Sequence, residues 1–451
     1  MNKLSRRLAL GCIVMLFVAC FLVTGVRAAE NATITVLWRS SPVENPMLDR
    51  IIAEFHKKHP NIVVKPIIVA YEQYEPKLLS MFAAGSPPDI FWCAGDGGYI
   101  DHAVRGMDLD LTPYLKKEPG LVKDFYPAAI QGSTFRGRFL GLSWCEAYTA
   151  GFYNATLFDR AGLGYPPTDW ADKTWTYDKM VETAQKLTKD LNGDGRVDQF
   201  GVIWDLQQII EDMWMWGGDL FAGEVYEKTG VPEKTALDNP RNRDALFTAL
   251  QKKADLIHKY KVSPTPAQSQ VIEQMGPPLK TGRVGMVFSG NWAITPPLPK
   301  DYKWGICAVP LCKQRKVIIY SNPLEIAKTS KHPEAAWEFS KYFVSEEAQR
   351  IMVELTPWMP CAASLRKLYI DNMLKHTILN EKQLEQVLKG AFEYAQESPN
   401  HTLFGFPKMF NTWNAELEGL WLGKLTVKEA VDALLPKLDR VIQDNLKQKV
   451  E

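Results

Sequence analysis

The chain has 451 residues, 46% of them hydrophobic and 23% charged, which is globular material long enough for two or three domains and a sizeable core. Fifty-three Lys and Arg stand against 52 Asp and Glu, so no global basic field attracts phosphates, and composition speaks against nucleic acid as a partner. Fourteen Trp make an aromatic surplus that calls for a larger core or a site that uses flat apolar faces.

In chain order, Lys3 and Arg6-Arg7 precede an apolar run from Leu8 to Val26 and a small-residue exit ending at Ala28. This reads as a signal peptide over 1–28, and hence as an exported, periplasmic protein. An uncleaved anchor at the outer face is the alternative, because the run is nearly long enough to span a bilayer. Phe17-Val18-Ala19-Cys20 is a poor lipobox. Five cysteines follow the leader, an odd number; Cys307 and Cys312 could bridge in oxidising surroundings, and at least one thiol stays free. With no CxxC pair, zinc is not suggested.

ITVLW (34–38) predicts a strand, and Asn45-Pro46 opens a helix with Leu48, Ile51, Ile52 and Phe55 on one face. IVVKPIIV (62–69) predicts a second strand, Tyr74 to Ala84 a helix, and DIFW (89–92) a third strand. Such a β-α-β-α-β start places parallel strands in one sheet, with ligands gathering at their carboxyl ends. WTYDKMVETAQKLT (175–188) predicts an amphipathic helix capped by Thr176. Pro333 opens another helix; Trp413, Leu417, Leu420 and Trp421 form a further apolar stripe, and Thr426 with Glu429 spells a capping box for the last helix.

No GxxxxGK[ST], HExxH, GxSxG or helix-opening GxGxxG occurs, which weakens an enzymatic reading. A glycosidase pair could still be drawn from Glu146, Asp205, Glu211 and Asp212. Asp190, Asn192, Asp194 and Asp198 put oxygen side chains at positions one, three, five and nine of a calcium loop, with Arg196 at seven offering its backbone. Position twelve is Gly201 rather than the bidentate Glu, so a calcium ion would be structural and incompletely held. The aromatic set Trp38, Trp92, Trp144, Trp204, Trp214, Trp216, Trp292 and Trp358 falls at strand ends and loops. Half-covering one such ring removes roughly 100 Å² from water, on the order of 2.5 kcal/mol. Three rings therefore approach the roughly 8 kcal/mol of a micromolar sugar site.

PDIFW (88–92), GLSWCEAYTAGFYNATLFDRAGL (141–163), TGRVGMVFSGNWAI (281–294), EIAKTSKHPEAAWEFSKYF (325–343) and WNAELEGLWLGKLTVKEAV (413–431) together resemble the extracellular solute-binding proteins of family 1, the maltose-binding-protein-like receptors of ABC sugar importers. The resemblance implies an α/β, two-lobed periplasmic-binding-protein fold (type II-like), each lobe a mainly parallel sheet flanked by helices and joined by crossing hinge strands. Lobe 1 would take 29–143 and 310–355, lobe 2 would take 144–309 and 356–451, and the crossings would lie near Ser143 and Val309. By the same resemblance Trp292 is a cleft tryptophan. Arg39, Ser41, Glu72, Tyr74, Gly95 and Asp96 match cleft-facing positions of lobe 1, and Tyr148, Asp205, Trp216, Asn291 and Trp358 fall in segments that reach the ligand. Asn291 stands where the family commonly has Pro, and Cys145 is atypical for a hinge. The implied function is a monomeric, non-enzymatic receptor that needs no cofactor and passes a mono- or oligosaccharide to a membrane permease. A secreted hydrolase and a receptor for glycerol-phosphate or polyamine are the alternatives.

Overall fold

The computed structural model describes residues 31–94, 97–206, 208–295 and 302–448. The predicted leader, Gly95 and Asp96 lie outside them. The chain opens with β1 (Ala32–Arg39), α1 (Glu44–Lys58), β2 (Ile62–Val69), α2 (Tyr71–Ala83) and β3 (Ile90–Trp92). β1 pairs in parallel with both β2 and β3, as the alternation of buried-face strands and amphipathic helices requires. α3 (Tyr99–Val104) follows, and then β4 (Gly141–Asn154), which is buried along its whole length. α4 (Tyr177–Leu187) begins where predicted, with the Thr176 side chain accepting from Lys179 N. β5 (Phe200–Trp204), α5 (Ile209–Met215), α6 (Pro240–His258), β6 (Val284–Gly290) and β7 (Trp304–Cys307) build the middle of the chain. β8 (Val317–Ile326), α7 (Pro333–Phe343), β9 (Ala395–Glu397), α8 (Phe406–Trp421) and α9 (Val427–Lys447) complete the elements used below. α9 carries the predicted capping box.

One sheet runs β2-β1-β3-β8-β4-β6-β5, with β9 beside β8 and β7 beside β4. Its two halves share β4 and β8. β4 pairs antiparallel with β8 from Gly141 to Tyr148, then with β6 and β7 from Thr149 to Asn154. β8 pairs with β9 over Val317–Ile319 and with β3 over Leu324–Ile326, with a register shift between Ser321 and Pro323. β8, which pairs with strands of both halves, follows Val309, near which the return crossing is expected. Val309 sits on the strap before that strand, its carbonyl accepting from Arg315 Nε. The doubly covered strands explain their near-continuous apolar runs. Trp38, Trp92 and Trp144 pack on one another, with ring centroids 5.0 to 5.4 Å apart. The five described cysteines are all free, so the possible Cys307–Cys312 bridge does not form.

Candidate ligand-binding site

The central cavity, about 250 Å³, lies where the two halves meet across β4 and β8. Arg39, at the carboxyl end of β1, forms one wall: its guanidinium stands 5.0 Å from the Trp92 ring centroid and 5.7 Å from that of Tyr71. Its Nε donates to Glu44 Oε2 at 3.0 Å. Burial opposes the arginine charge, but the Glu44 carboxylate outweighs it and holds the guanidinium firmly protonated. The other Glu44 oxygen accepts from Trp358 Nε1 at 3.1 Å, which fixes the indole on the cavity wall. Ser41 does not face the cavity; its Oγ accepts from Glu44 N and helps start α1.

Across from Arg39 stands Trp292, half-buried in the short turn after β6, its ring 5.3 Å from that of Tyr320. A side chain at residue 290 would collide with the indole, so Gly290 is what lets the ring fold back over the strand end. Asn291 is wholly buried: its Oδ1 accepts from Tyr148 N at 3.3 Å and its Nδ2 donates to Pro357 O at 2.7 Å. It thus ties the Trp292 turn to the segment carrying Trp358. A proline here could neither accept from Tyr148 nor donate to Pro357, which gives the departure from the family pattern a physical reason.

Gln208, Asn322, Asn400 and His401 supply the polar lining, and Phe406 and Phe410 of α8 the apolar end. Gln208 Nε2 donates to Ser398 Oγ at 2.9 Å and Asn400 Oδ1 at 3.2 Å. His401 Nδ1 lies 2.8 Å from Glu397 Oε1. Gly98 lets the chain before α3 abut Asn400 and His401, where a Cβ would meet their backbone. Gln208 Oε1, Trp92 Nε1 and Trp144 Nε1 are buried with no hydrogen-bond partner, and all three residues line the cavity. All three atoms are enclosed by the wall itself, so the polar groups open to a guest are those of the lining named above.

Other sequence-based expectations land elsewhere. Tyr74 is a core residue, its hydroxyl donating to Leu37 O and accepting from Trp92 N; its neighbour Tyr71 reaches the cavity instead. Glu72 is exposed in the first turn of α2. Tyr148 is buried, with its hydroxyl 3.0 Å from that of Tyr369. Trp216 packs edge-on against Tyr177. Asp205 lines a second cavity of about 460 Å³ with Trp204, Lys253 and Trp421, on the other side of Trp292. None of Glu146, Asp205, Glu211 and Asp212 lines the central cavity, so no carboxylate pair from that set brackets a bond there. Burial and then the Glu397 charge push Glu146 well above the usual carboxyl range, although Ser143 Oγ and Ser321 Oγ donate to it. In the 190–198 loop, Asp190 accepts from Gly193 N and Gly195 N, Asp194 from Arg196 N, and Asp198 from Leu191 N. Asn192 accepts from Asp194 N, and Arg196 is exposed. The loop closes on its own backbone, and its three aspartates form no convergent carboxylate group.

Glu44, Gln208, Asn400, His401 and the two phenylalanines were not legible as site residues. No local pattern marks them, because they reach the cavity from segments far apart in the chain.

A two-lobed clamp with a wall-to-wall aromatic cavity at its crossing strands is the architecture of a solute receptor. The chain belongs to the bacterial extracellular solute-binding protein family, whose model matches residues 41–350. An ABC transporter extracellular-binding protein of Pyrococcus horikoshii is 22% identical over 371 residues, covering 78% of this chain and 80% of the relative. Among solved structures, the ABC substrate-binding protein from Listeria monocytogenes in complex with cycloalternan is similar with a TM-score of 0.73 at 22% identity, covering 93% of this chain and all of that one. Maltose-bound MalE3 of T. maritima gives 0.71 at 20% identity over 91% of this chain and all of that one. Among the described residues, no helix is long and apolar enough to cross a membrane.

Proposed function

We propose that this chain captures a neutral carbohydrate, a mono- or oligosaccharide, between its lobes and delivers it to the membrane permease of an ABC importer. The observation that carries the reading is the cavity lining, the rings of Tyr71, Trp292, Tyr320 and Trp358 beside the polar side chains of Arg39, Gln208, Asn322 and Asn400. Sugars offer hydroxyls to such groups and C–H faces to the rings. The cavity's arginine is matched internally, Arg39 by Glu44, which favours a neutral ligand over a phosphate ester or polyamine. The sugars named in the solved relatives, cycloalternan and maltose, agree with that chemistry.

The proposed lobes are 29–143 with 310–355, and 144–309 with 356–451. The strands shared by both halves and the register shift at Ser321/Pro323 support a hinge across β4 and β8. Closure is then a population shift that the ligand biases by touching both sides. The receptor works as an exported monomer at the outer face of the membrane and needs no cofactor. Calcium in the 190–198 loop would share carboxylates that already accept backbone N–H groups, and would lack a ligand at Gly201.

Calorimetric titration with a panel of mono- and oligosaccharides tests this. The expected result is saturable binding without product, weakened about 30-fold or more by Trp292→Ala, the equivalent of roughly 2 kcal/mol of lost ring coverage. Binding confined to phosphate esters or polyamines, or release of a hydrolysed glycan, would overturn the sugar-receptor reading.

A further inference from the structure

Behind the cavity wall, β8 contributes to a second polar cluster, sealed from solvent and independent of the sugar reading. Glu325 and His102 of α3 are fully buried, and Asp108, just beyond α3, is 3% exposed. His102 Nδ1 stands 2.9 and 3.1 Å from the two Glu325 oxygens, and its Nε2 is 3.5 Å from Glu75 Oε2 of α2. No hydrogen bond reaches His102 Nε2, Glu75 Oε2 or either carboxyl oxygen of Asp108. One ligand atom each from His102, Asp108 and Glu325 lie within 4.8 Å of one another, the one such trio among the described residues.

Three carboxyl groups around one imidazole are short of positive charge. The nearby Arg105 is turned to Asp101, with Nε 3.1 Å from Oδ1, and Arg138 acts on Asp108 only through its charge. Buried acceptors without donors are costly, more so beside another carboxylate. A cation between the imidazole, Glu325 and Asp108 would give those two carboxyls a shared partner, while Glu75 stays on the other ring nitrogen. In a tetrahedral shell at about 2.0–2.2 Å, ligand atoms lie about 3.3–3.6 Å apart, so this trio needs to draw in by up to about 1.5 Å. Imidazole with carboxylates suits a transition ion; calcium prefers an all-oxygen shell.

We propose that His102, Asp108 and Glu325 bind one divalent first-row transition ion, zinc being the best match, with Glu75 facing the other imidazole nitrogen and orienting the ring. The ion clips α3 and the segment after it onto β8, beneath the turn whose Cys93 and Ala94 line the ligand cavity. Its role is structural: it holds the site's floor and touches no substrate.

The test uses untagged mature protein, stripped with a chelator and titrated with Zn²⁺ and separately with Mn²⁺, with metal content read by mass spectrometry and binding by calorimetry. One equivalent of zinc per chain is expected, together with a rise in melting temperature of the wild type. Asp108→Asn should weaken binding about 100-fold or more, while Asp190→Asn in the surface loop should leave it unchanged. Less than about a tenth of an equivalent of either ion on the folded wild type, or equal binding by Asp108→Asn, would overturn the assignment.

Discussion

Along β8 the carboxyl groups gathered at residues 318–321 and the one at 325 sit in equally dry surroundings, but their hydrogen bonding differs. At the first position β9 is in place but the β4 side is open: pairing with β4 starts only at Ile319, and Ile318 N donates instead to Glu211 at 2.9 Å. Beyond the last β9 pair, Ile319 with Glu397, Ser321 N donates to the Glu397 carboxyl at 3.2 and 3.3 Å. These glutamates complete a ladder that the crossing interrupts. At Glu325 the strand is flanked by β3 and β4, so its backbone is already paired and its carboxyl, with Asp108, must find another partner. Buried carboxyls at a hinge can thus serve as stand-in strands, whereas the same groups inside a complete ladder call for a cation or a proton.

The largest effect expected from breaking this contrast concerns Glu211. Burial pushes its carboxyl up to about 8, against the hydrogen bond from Ile318. The folded chain then holds a proton that the unfolded chain releases near pH 4.5, so this contribution to stability is full below that pH and is lost as pH rises towards about 8. At about 1.4 kcal/mol for each pH unit, the loss is bounded at about 5 kcal/mol. Urea unfolding at pH 5, 7 and 9 should show a flatter profile for Glu211→Gln than for the wild type; parallel profiles would deny Glu211 this role.

Glu44 poses the same question at the cavity. It is 1% exposed, with Arg39 as its ion-pair partner and Trp358 as one further donor. Arg39→Ala leaves a buried carboxylate with a single indole donor, and about 3 kcal/mol of stability should go with it. Adding Glu44→Gln should restore part of that loss, although ligand binding stays impaired. Equal stability of the single and double variants would show that Arg39 acts through packing alone. Ser321→Ala should cost less, about 1–2 kcal/mol, because Glu146 keeps its bond from Ser143 at 3.0 Å. A loss as large as that of Arg39→Ala would mean that Ser321 governs the crossing itself.

What the sequence could tell depended on whether a feature is local. β2 is found over the predicted residues, and Thr176 and Thr426 cap the predicted helices, since strand alternation and capping are decided within a few residues. Trp292 and Trp358 were found through a resemblance, and both line the cavity. Tyr74 and Tyr148 were misplaced because a strand or helix end fixes a residue's neighbourhood but not which way its ring turns. Trp38 failed as a ligand face for a related reason: its ring is enclosed by Trp92, Trp144 and Phe343. The His102 cluster joins residues more than two hundred positions apart through the β8 crossing, and no spacing in the chain could announce it.

The smallest effect is expected in the 190–198 loop, the acidic segment that the sequence singles out for calcium. Its carboxylates already take backbone N–H groups, Asp190 from Gly193 at 2.6 Å and Gly195 at 2.8 Å, and these bonds hold the Asp190 carboxyl below its usual range. An exposed acceptor that already holds backbone donors gains less from a cation, and a calcium ion here still lacks a ligand at Gly201. Calcium added to chelator-stripped protein should therefore leave the melting temperature where it was, whereas zinc should raise it through the buried cluster. A calcium-dependent rise that disappears in Asp190→Asn would reverse this ordering. It would show that the loop's carboxylates take an ion while holding backbone donors, and that such hydrogen bonds are a weaker guide to metal sites than the spacing of oxygen side chains in the sequence.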